Sequence, residues 1–255
     1  MKSYKSVKHI GESPLVNMGP IKLRQPIPTS EVEKVDPFLL LHHYGPYAIS
    51  EFNNPFDLGP HPHRGFEPIT LLFQGEQLHR DSLGNESLVK AGDVQWTTAG
   101  RGIIHSEGPT KEFVKKGGTL EGVQLWLNLP AKDKMMTPEY QHIQSDKIPV
   151  VKDESGNINL KIVAGSLNNK EGLISTQTAV NVFMVETTGE GEMDVNIPVS
   201  HESCIYLLDG EVKINGSMIL SKGVNQLAVF NTDGDAIKFE ATKESKLLIL
   251  SGEPI

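Results

Sequence analysis

The sequence predicts an all-β protein built as an antiparallel sandwich or barrel. Of its 255 residues, 24 are glycine and 16 are proline, so turn-forming residues are frequent. Helical periodicity is scarce, and short runs of β-branched, leucine and aromatic residues alternate with Gly, Asn, Asp or Pro. A chain of this length forms either one large β domain or two domains of about 120 residues each.

The predicted strands fall into two groups, one in each half of the chain. Each run is short, rich in residues that favour strands, and bounded by a turn residue. The clearest runs, in chain order, are 68–73, 93–98, 122–127, 180–185, 204–208 and 246–250.

The best helix candidate lies between these two groups. It covers residues 130–136 and continues towards Tyr140, because Pro130 suits a first helical turn and Pro138 would end it. We therefore expect a short helical linker. This gives domain boundaries of 1–132, 133–145 for the linker, and 146–255.

The two halves resemble each other weakly. Residues 71–76 align with 206–211 at an offset of 135, and each segment ends in a Gly-Glu turn. A second glycine follows in each half, Gly92 and Gly223. Either the chain contains an internal duplication or two β domains have reused the same kind of turn.

Charge and cysteine content exclude several classes of protein. The net charge is −8 and no segment concentrates Lys and Arg, which argues against a nucleic-acid groove. The only cysteine is Cys204, so neither an intrachain disulfide nor a cysteine-based zinc site is expected. No apolar leader or membrane-length apolar run occurs, so we expect a cytoplasmic protein, or a nuclear one in a eukaryote.

Two short histidine motifs carry the predicted chemistry. Residues i and i+2 of a strand face the same side, so His61 and His63 point together, as do His105 and Glu107. Three imidazoles and one carboxylate leave two octahedral positions open, which suits Fe(II), Mn, Ni or Cu better than a closed structural zinc site. The alternative is that these histidines are ordinary surface or core residues.

These motifs resemble a known family. Residues 59–75 are similar to the first cupin motif, and residues 92–105 are similar to the second. More narrowly, six segments resemble pirin, and they are nearly continuous between residues 36 and 132. They are 36–41, 61–67, 79–82, 92–96, 98–107 and 124–132.

The resemblance implies a bicupin, with two tandem double-stranded β-helix (jelly-roll-like) barrels and a metal only in the N-terminal one. It implies that iron, as Fe(II), is held by the residues matching His61, His63, His105 and Glu107, while the ligand chemistry also admits Mn, Ni, Cu or Zn. Glu67 occupies the usual cupin glutamate position and is then not a ligand. Counting along the repeat gives the counterparts in the second half, none of which forms a plausible metal site. They are Asn196, Pro198, Ala236 and Lys238.

The resemblance also implies a reaction, because some pirin-like proteins cleave quercetin with O2. Glu107 would then be the catalytic base as well as a ligand, and the substrate would be a small aromatic flavonol. A flat substrate needs apolar walls, for which ordinary core packing is the alternative role of each aromatic residue. His79 either lines the pocket or lies on a surface hairpin. The pocket candidates are Phe66, Phe73, His79, Trp96 and Trp126.

Pirin-like proteins also act as regulators that bind protein partners such as transcription factors or metabolic enzymes. The negative net charge suits a protein partner better than DNA. Arg101, between two glycines beside the second motif, either brings positive charge to the site entrance or lies in a solvated turn. The resemblance further implies a chain that continues beyond the apolar strand at 246–250.

Overall fold

The computed structural model describes residues 2–223 and 226–255, which fold mainly into antiparallel β-strands. The all-β prediction is confirmed. In the first half of the chain the strands are β1 (Val7–Gly11), β2 (Leu15–Met18), β3 (Ile21–Ile27), β4 (Phe38–Ile49), β5 (Leu58–His63), β6 (Phe66–Gln74), β7 (Glu76–Asp81), β8 (Glu86–Lys90), β9 (Val94–Thr98), β10 (Ile103–Gly108), β11 (Gly118–Asn128) and β12 (Glu139–Ile143).

The second half continues in the same way. Its strands are β13 (Val150–Lys152), β14 (Ile158–Ala164), β15 (Ser166–Leu167), β16 (Lys170–Glu171), β17 (Val180–Thr187), β18 (Gly191–Asn196), β19 (Glu202–Asp209), β20 (Glu211–Ile214), β21 (Met218–Ser221), β22 (Leu227–Phe230), β23 (Ala236–Ala241) and β24 (Ser245–Gly252). The helical elements in the described residues are α1 (Lys111–Lys116) and a 3-10 turn at Ser145–Lys147. No described helix is long and apolar enough to cross a membrane.

The chain divides into two compact units. The first barrel consists of Pro14–Ser30 and Phe38–Lys147, and the second barrel consists of Met1–Ser13, Glu31–Pro37 and Ile148–Ile255. This division differs from the linear boundaries expected from the sequence, because two early segments belong to the later unit. The reason is long-range pairing: β1 forms an antiparallel ladder with β22 and completes one edge of the second barrel's larger sheet.

Each barrel is built on two main sheets, and the strand order of these sheets is the same in both barrels. In the first barrel the sheets are β12-β9-β6-β11-β4-β3-β2 and β5-β10-β7-β8. In the second they are β1-β22-β19-β24-β17-β14-β13 and β18-β23-β20-β21. The second barrel also contains the two-stranded sheet β15-β16. The strands of the other sheets correspond one to one, so the weak sequence repeat reflects a duplicated topology.

The repeated Gly-Glu turn has the same backbone conformation in both barrels. Gly75 has a φ of 86° and Gly210 has a φ of 87°, and each connects two strands of equivalent position. A side chain is strained in this region of backbone space. In both places a Cβ atom would also lie under 3.0 Å from backbone oxygen, of Thr119 and Glu244 respectively. Glycine is therefore required at both turns.

The predicted helical linker is wrong. Residues 131–136 form consecutive turns closed by i→i+3 hydrogen bonds, such as that from Met136 N to Asp133 O at 3.0 Å. Pro138 lacks the N–H that a helix would need, and the chain then enters β12. Because β12 pairs along its whole length with β9, it belongs to the first barrel's larger sheet.

Candidate metal centre

The two histidine motifs lie on neighbouring strands of the first barrel. In the ladder between β5 and β10, His61 is opposite His105 and His63 is opposite Ile103. The ring centroids of His61, His63 and His105 are 4.4–4.9 Å apart. One ring nitrogen from each lies within 4.8 Å of the others. The structure therefore brings three of the four predicted ligands together.

Glu107 lies beside this triad, in a second group. A β-bulge between His105 and Glu107 shifts the register, so that Glu107 is opposite Leu58 on β5 and His79 on β7. The carboxylate has ligand atoms of His105 and His79 within 4.8 Å. His105 therefore belongs to both groups and connects the carboxylate to the other two imidazoles.

Hydrogen bonds hold Glu107 inside the barrel. Its Oε1 accepts from Thr70 Oγ1 at 3.3 Å and from Gln95 Nε2. Burial raises the pKa of Glu107, and nearby histidines together with these two hydrogen bonds oppose the rise. A buried carboxylate with a raised pKa is a better proton acceptor than an exposed one.

The imidazoles fit a transition-metal ion. Burial, reinforced by neighbouring imidazoles, lowers the pKa of His63 and of His105 to about 3, so both rings are neutral with a lone pair available. His61 Nδ1 donates to Gly59 O at 2.9 Å, which leaves its Nε2 as the lone-pair nitrogen. Both ring nitrogens of His105 are buried without a hydrogen-bond partner among the described residues. A coordinated cation would satisfy one of them.

His79 is buried next to His105 rather than exposed on a hairpin. Its ring stacks on Tyr140 with centroids 4.2 Å apart and an interplanar angle of 9°, and its Nε2 lies 3.2 Å from Asp81 Oδ2. Although burial acts in the opposite direction, hydrogen bonds from Asn85, from His79 and from the backbone lower the pKa of Asp81. The anionic Asp81 therefore fixes the orientation of the His79 ring.

A cavity of about 220 Å³ adjoins the candidate metal centre. His61, His63 and Glu107 line it on one side. The aromatic residues that line it are Tyr44, Phe56 and Trp126.

Most of the predicted pocket aromatics lie elsewhere. Trp96 and Phe73 are buried in the strands β9 and β6. Phe66 packs on Trp126 with ring centroids 4.5 Å apart and borders a separate surface depression beside Arg64. Among the predicted aromatics only Trp126 lines the cavity, because alternation along a strand directs every second side chain away from it.

Tyr44 and its neighbours on β4 line the cavity, although no sequence motif predicted them there. Leu40, His42 and Tyr44 follow one another at spacing two and all line the cavity. This period-2 pattern was available in the sequence as a signal. Its assignment to the cavity needed the pairing of β4 with β11, which no local pattern reveals.

Glu67 and Arg101 have roles outside the histidine groups. Glu67 is fully buried on β6 and accepts a hydrogen bond from Thr98 Oγ1 at 2.5 Å, so the usual cupin glutamate position binds a threonine here. Arg101 is exposed in the turn before β10, where its backbone N donates to Met136 O at 2.9 Å.

The corresponding positions of the second barrel are one residue away from those counted along the sequence. Across the equivalent ladder Val195 is opposite Ile237, as His61 is opposite His105. A shift of one residue moves every side chain to the other face of a strand. The sequence count gave Asn196, Pro198, Ala236 and Lys238, whereas the register makes Val195, Ile197, Ile237 and Phe239 the counterparts of His61, His63, His105 and Glu107.

Two family models match the chain. Residues 20–127 match the model described as Pirin, and residues 182–255 match the Pirin C-terminal cupin domain. A Pseudomonas aeruginosa protein, named as a candidate quercetin 2,3-dioxygenase, is 36% identical over 88% of this chain and 77% of its own length. A pirin-like protein from Solanum lycopersicum is 32% identical over 91% of this chain and 76% of its own length.

Solved structures agree with these relatives. The chain resembles quercetin 2,3-dioxygenase from Acinetobacter baumannii with a TM-score of 0.90 and 30% identity, covering 99% of this chain and 88% of that one. A bacterial pirin from Escherichia coli, solved in complex with nickel(II), shares the fold at 20% identity, with a TM-score of 0.73 and full coverage of both chains. The two matched domains and the relatives identify this chain as a member of the pirin family with a bicupin fold.

Proposed function

We propose that this protein is an iron(II)-dependent dioxygenase that cleaves quercetin or a related flavonol with O2. The observation that carries the proposal is a triad of imidazoles beside a buried carboxylate, next to an apolar cavity. The names of relatives from Pseudomonas aeruginosa and Acinetobacter baumannii support the same activity.

The metal would be held by His61, His63, His105 and Glu107. When bound, it supplies Lewis-acid and redox chemistry, lowering the pKa of a substrate hydroxyl and letting electrons pass from the substrate to dioxygen. Iron is the metal of our proposal, and the nickel(II) complex of the Escherichia coli pirin makes nickel the first alternative to test.

Glu107 is the proposed catalytic base. Its raised pKa favours acceptance of the proton from the substrate hydroxyl. Gln95 and Thr70 hold the carboxylate at Oε1, so the oxygen that they leave is available to take the proton.

The cavity walls orient the substrate and exclude water. The indole of Trp126 lies beside His63, with ring centroids 5.8 Å apart, so a flat ring bound there would lie against an aromatic surface next to the triad. Apolar walls strengthen the electrostatic interactions at the triad because they keep the site dry.

The test combines metal analysis with oxygen consumption. Protein loaded anaerobically with Fe(II) should consume O2 and quercetin together when both are supplied, and His61→Ala should lose both the iron and the activity. His142→Ala is the control, because His142 lies on β12 with its Nε2 3.1 Å from Asp93 and outside both histidine groups. Full iron loading with no flavonol consumption would contradict the dioxygenase and favour the iron-dependent regulator.

A further inference from the structure

His105 has two buried ring nitrogens, and the proposed ligand set uses one of them. Neither nitrogen has a hydrogen-bond partner in the part of the chain that the structure describes. A neutral imidazole that binds a metal through one nitrogen carries a proton on the other, and that N–H needs an acceptor. His61 already meets this condition, because its Nδ1 donates to Gly59 O at 2.9 Å. A comparable acceptor is therefore expected next to the second nitrogen of His105.

His79 can supply this acceptor. It lies on β7, which pairs with β10, and its ring centroid is 5.4 Å from that of His105. A ring nitrogen of His79 is within 4.8 Å of a ring nitrogen of His105. His79 Nδ1 is also buried without a hydrogen-bond partner among the described residues. One hydrogen bond between the two rings, with a cation on the other nitrogen of His105, would satisfy all of these unpartnered nitrogens.

Asp81 determines which nitrogen of His79 carries the proton. Its carboxylate accepts hydrogen bonds from the backbone N–H groups of Leu83 and Asn85 and from the Asn85 side chain, at 2.8–3.0 Å. These donors favour the ionised carboxylate, which has no proton to give. His79 Nε2, 3.2 Å from Asp81 Oδ2, therefore carries the proton of the neutral ring. The lone pair is then on Nδ1, the nitrogen without a partner.

Tyr140 keeps the His79 ring in place. The two rings are parallel within 9° and their centroids are 4.2 Å apart, so the phenol covers one face of the imidazole. Asp81 contacts the same imidazole at one edge. A ring that is already fixed on a face and on an edge loses little rotamer freedom when it accepts a hydrogen bond. The packing around His79 therefore favours its use as an acceptor.

Two other acceptors close to His105 are already in use. Asp81 is opposite His105 in the ladder, but its oxygens accept the hydrogen bonds described above. Glu107 Oε1 accepts from Thr70 and Gln95, and its other oxygen is the one that we assign to the metal and the substrate proton. Of these three side chains, His79 is the one with an acceptor to offer.

We propose that His79 is a positioning residue, which accepts a hydrogen bond from the N–H of metal-bound His105. The chain Asp81–His79–His105 then fixes which nitrogen of His105 faces the metal, and its negative end makes that nitrogen a stronger electron donor. His79 itself does not bind the metal. The inference rests on the part of the proposed function that makes His105 a ligand, and it does not depend on the substrate.

The experiment uses the Co(II)-loaded protein, because cobalt accepts imidazole ligands and its unpaired electrons shift the proton resonances of coordinated histidines. In proton NMR the wild type should show a shifted N–H resonance of His105 that exchanges slowly with D2O. The N–H of His61, which is bonded to Gly59 O, gives a second such resonance and serves as the internal reference.

His79→Phe removes the acceptor and keeps an aromatic ring beside Tyr140. The protected N–H of His105 should be lost, while that of His61 should remain. Because loss of a hydrogen-bond partner of a metal-binding histidine typically weakens metal binding by about 10–100-fold, we expect a decrease of this size in Co(II) affinity. Competition with a chromogenic chelator measures it.

Two further variants separate the acceptor from packing. In His79→Asn the amide oxygen takes the place of Nδ1, so this variant should recover most of the Co(II) affinity and the protected N–H. It also covers the case in which His79→Phe does not fold. His142→Phe is the matched control, because His142 Nε2 lies 3.1 Å from Asp93 but the residue is outside both histidine groups. This control should leave the affinity and the spectrum unchanged.

Several outcomes would overturn the inference. They are a wild type without a protected N–H on His105, wild-type affinity in His79→Phe, and equal losses in His79→Phe and His79→Asn. Two Co(II) ions per wild-type chain and one in His79→Phe would also overturn it, because His79 would then be a ligand. A wild type that bound no Co(II) would refute the ligand set and the inference together. Protein that passes these tests but does not consume quercetin and O2 would refute the dioxygenase alone.

Discussion

The two barrels share one strand order, yet equivalent interior positions carry opposite chemistry. Where the first barrel pairs His61 with His105, the second pairs Val195 with Ile237. The position of Glu107 is taken by Phe239, and all of these second-barrel residues are fully buried. The fold itself therefore does not require polar residues at these positions.

This difference shows what the first barrel loses by carrying a site. Hydrocarbon side chains stabilise the second barrel by leaving water, at about 1.5–3 kcal/mol for each fully buried one. Buried imidazoles and a carboxylate lose hydration instead, and both ring nitrogens of His105 lack a partner among the described residues. A bound cation is the interaction that would compensate for this loss.

The glycine turns are the same in both barrels, whereas the interior side chains differ. Gly75 and Gly210 have the same positive φ, and each precedes a strand of the smaller sheet. Because the backbone fold of each barrel depends on these turns and on strand pairing, the side chains between the sheets are free to differ. Substitutions in the interior of the first barrel should therefore affect metal binding, and substitutions in the interior of the second should affect packing.

The largest effect is expected from Phe239→Ala in the second barrel. Phe239 is fully buried, so its removal should lower the free energy of unfolding by about 3–5 kcal/mol. Urea unfolding followed by the reactivity of Cys204, the buried single cysteine of the second barrel, measures this. Phe52→Ala is the control, because Phe52 is 98% exposed and should change the same transition by less than about 0.5 kcal/mol. A loss below about 1 kcal/mol for Phe239→Ala would contradict the packed interior.

His105→Ile converts one position of the first barrel into its second-barrel counterpart. Loss of an imidazole shared by both ligand groups should weaken metal binding by at least about 100-fold. The metal-free protein should keep its stability, because isoleucine needs no hydrogen bonds in the barrel. Competition with a chromogenic chelator and thermal unfolding of the metal-free protein measure the two effects.

His201→Ile is the matched control for this exchange. His201 is buried in the second barrel, with its Nδ1 3.2 Å from Ser251 Oγ. Its replacement should leave metal affinity unchanged. If His105→Ile retained wild-type affinity, the proposed ligand set would be wrong.

Local patterns predicted the composition of the site better than its surroundings. Strand alternation is a short-range property, so the i, i+2 spacing of His61 and His63 was enough to orient both side chains in one direction. The pocket aromatics failed because spacing alone does not show which sheet a strand joins or which face is internal. Phe73 and Trp96 have strand-like neighbours in sequence, but their surroundings are set by pairing with distant strands.

Long-range pairing also explains the errors in organisation. The ladder between β1 and β22 connects residues more than two hundred positions apart, and no local signal marks it. The offset between the halves changes with loop length, so counting from Gly210 and Gly223 missed the interior face by one residue. The family resemblance gave the two barrels correctly because it carries tertiary information that the residue pattern lacks.

The smallest expected effect is on stability at acid pH. It can be followed separately in the two barrels, because each contains a natural reporter residue. Both tryptophans, Trp96 and Trp126, lie in the first barrel, and Cys204 lies in the second. Burial lowers the pKa of His42 in the first barrel from 6.5 to about 4, and burial also lowers the pKa of His201 in the second. Each barrel therefore has a histidine outside the ligand set that folding keeps neutral.

The sign of the effect follows from proton linkage. Above pH 6.5 His42 is neutral in both states, and as the pH falls towards about 4 the unfolded chain takes up the proton first, so stability decreases. In the metal-free protein, His42→Gln should reduce the pH dependence of the free energy of unfolding between about pH 4 and pH 6.5, by at most the equivalent of one proton. Tryptophan fluorescence measures this unfolding. The loss is below one full proton because the ring is half-buried. His201→Gln should change only the transition reported by a pulse of thiol reagent at Cys204. If the pH dependence of unfolding were the same in His42→Gln as in the wild type, folding would not hold this ring neutral. The part of the cavity wall that His42 lines would then carry charge in acid.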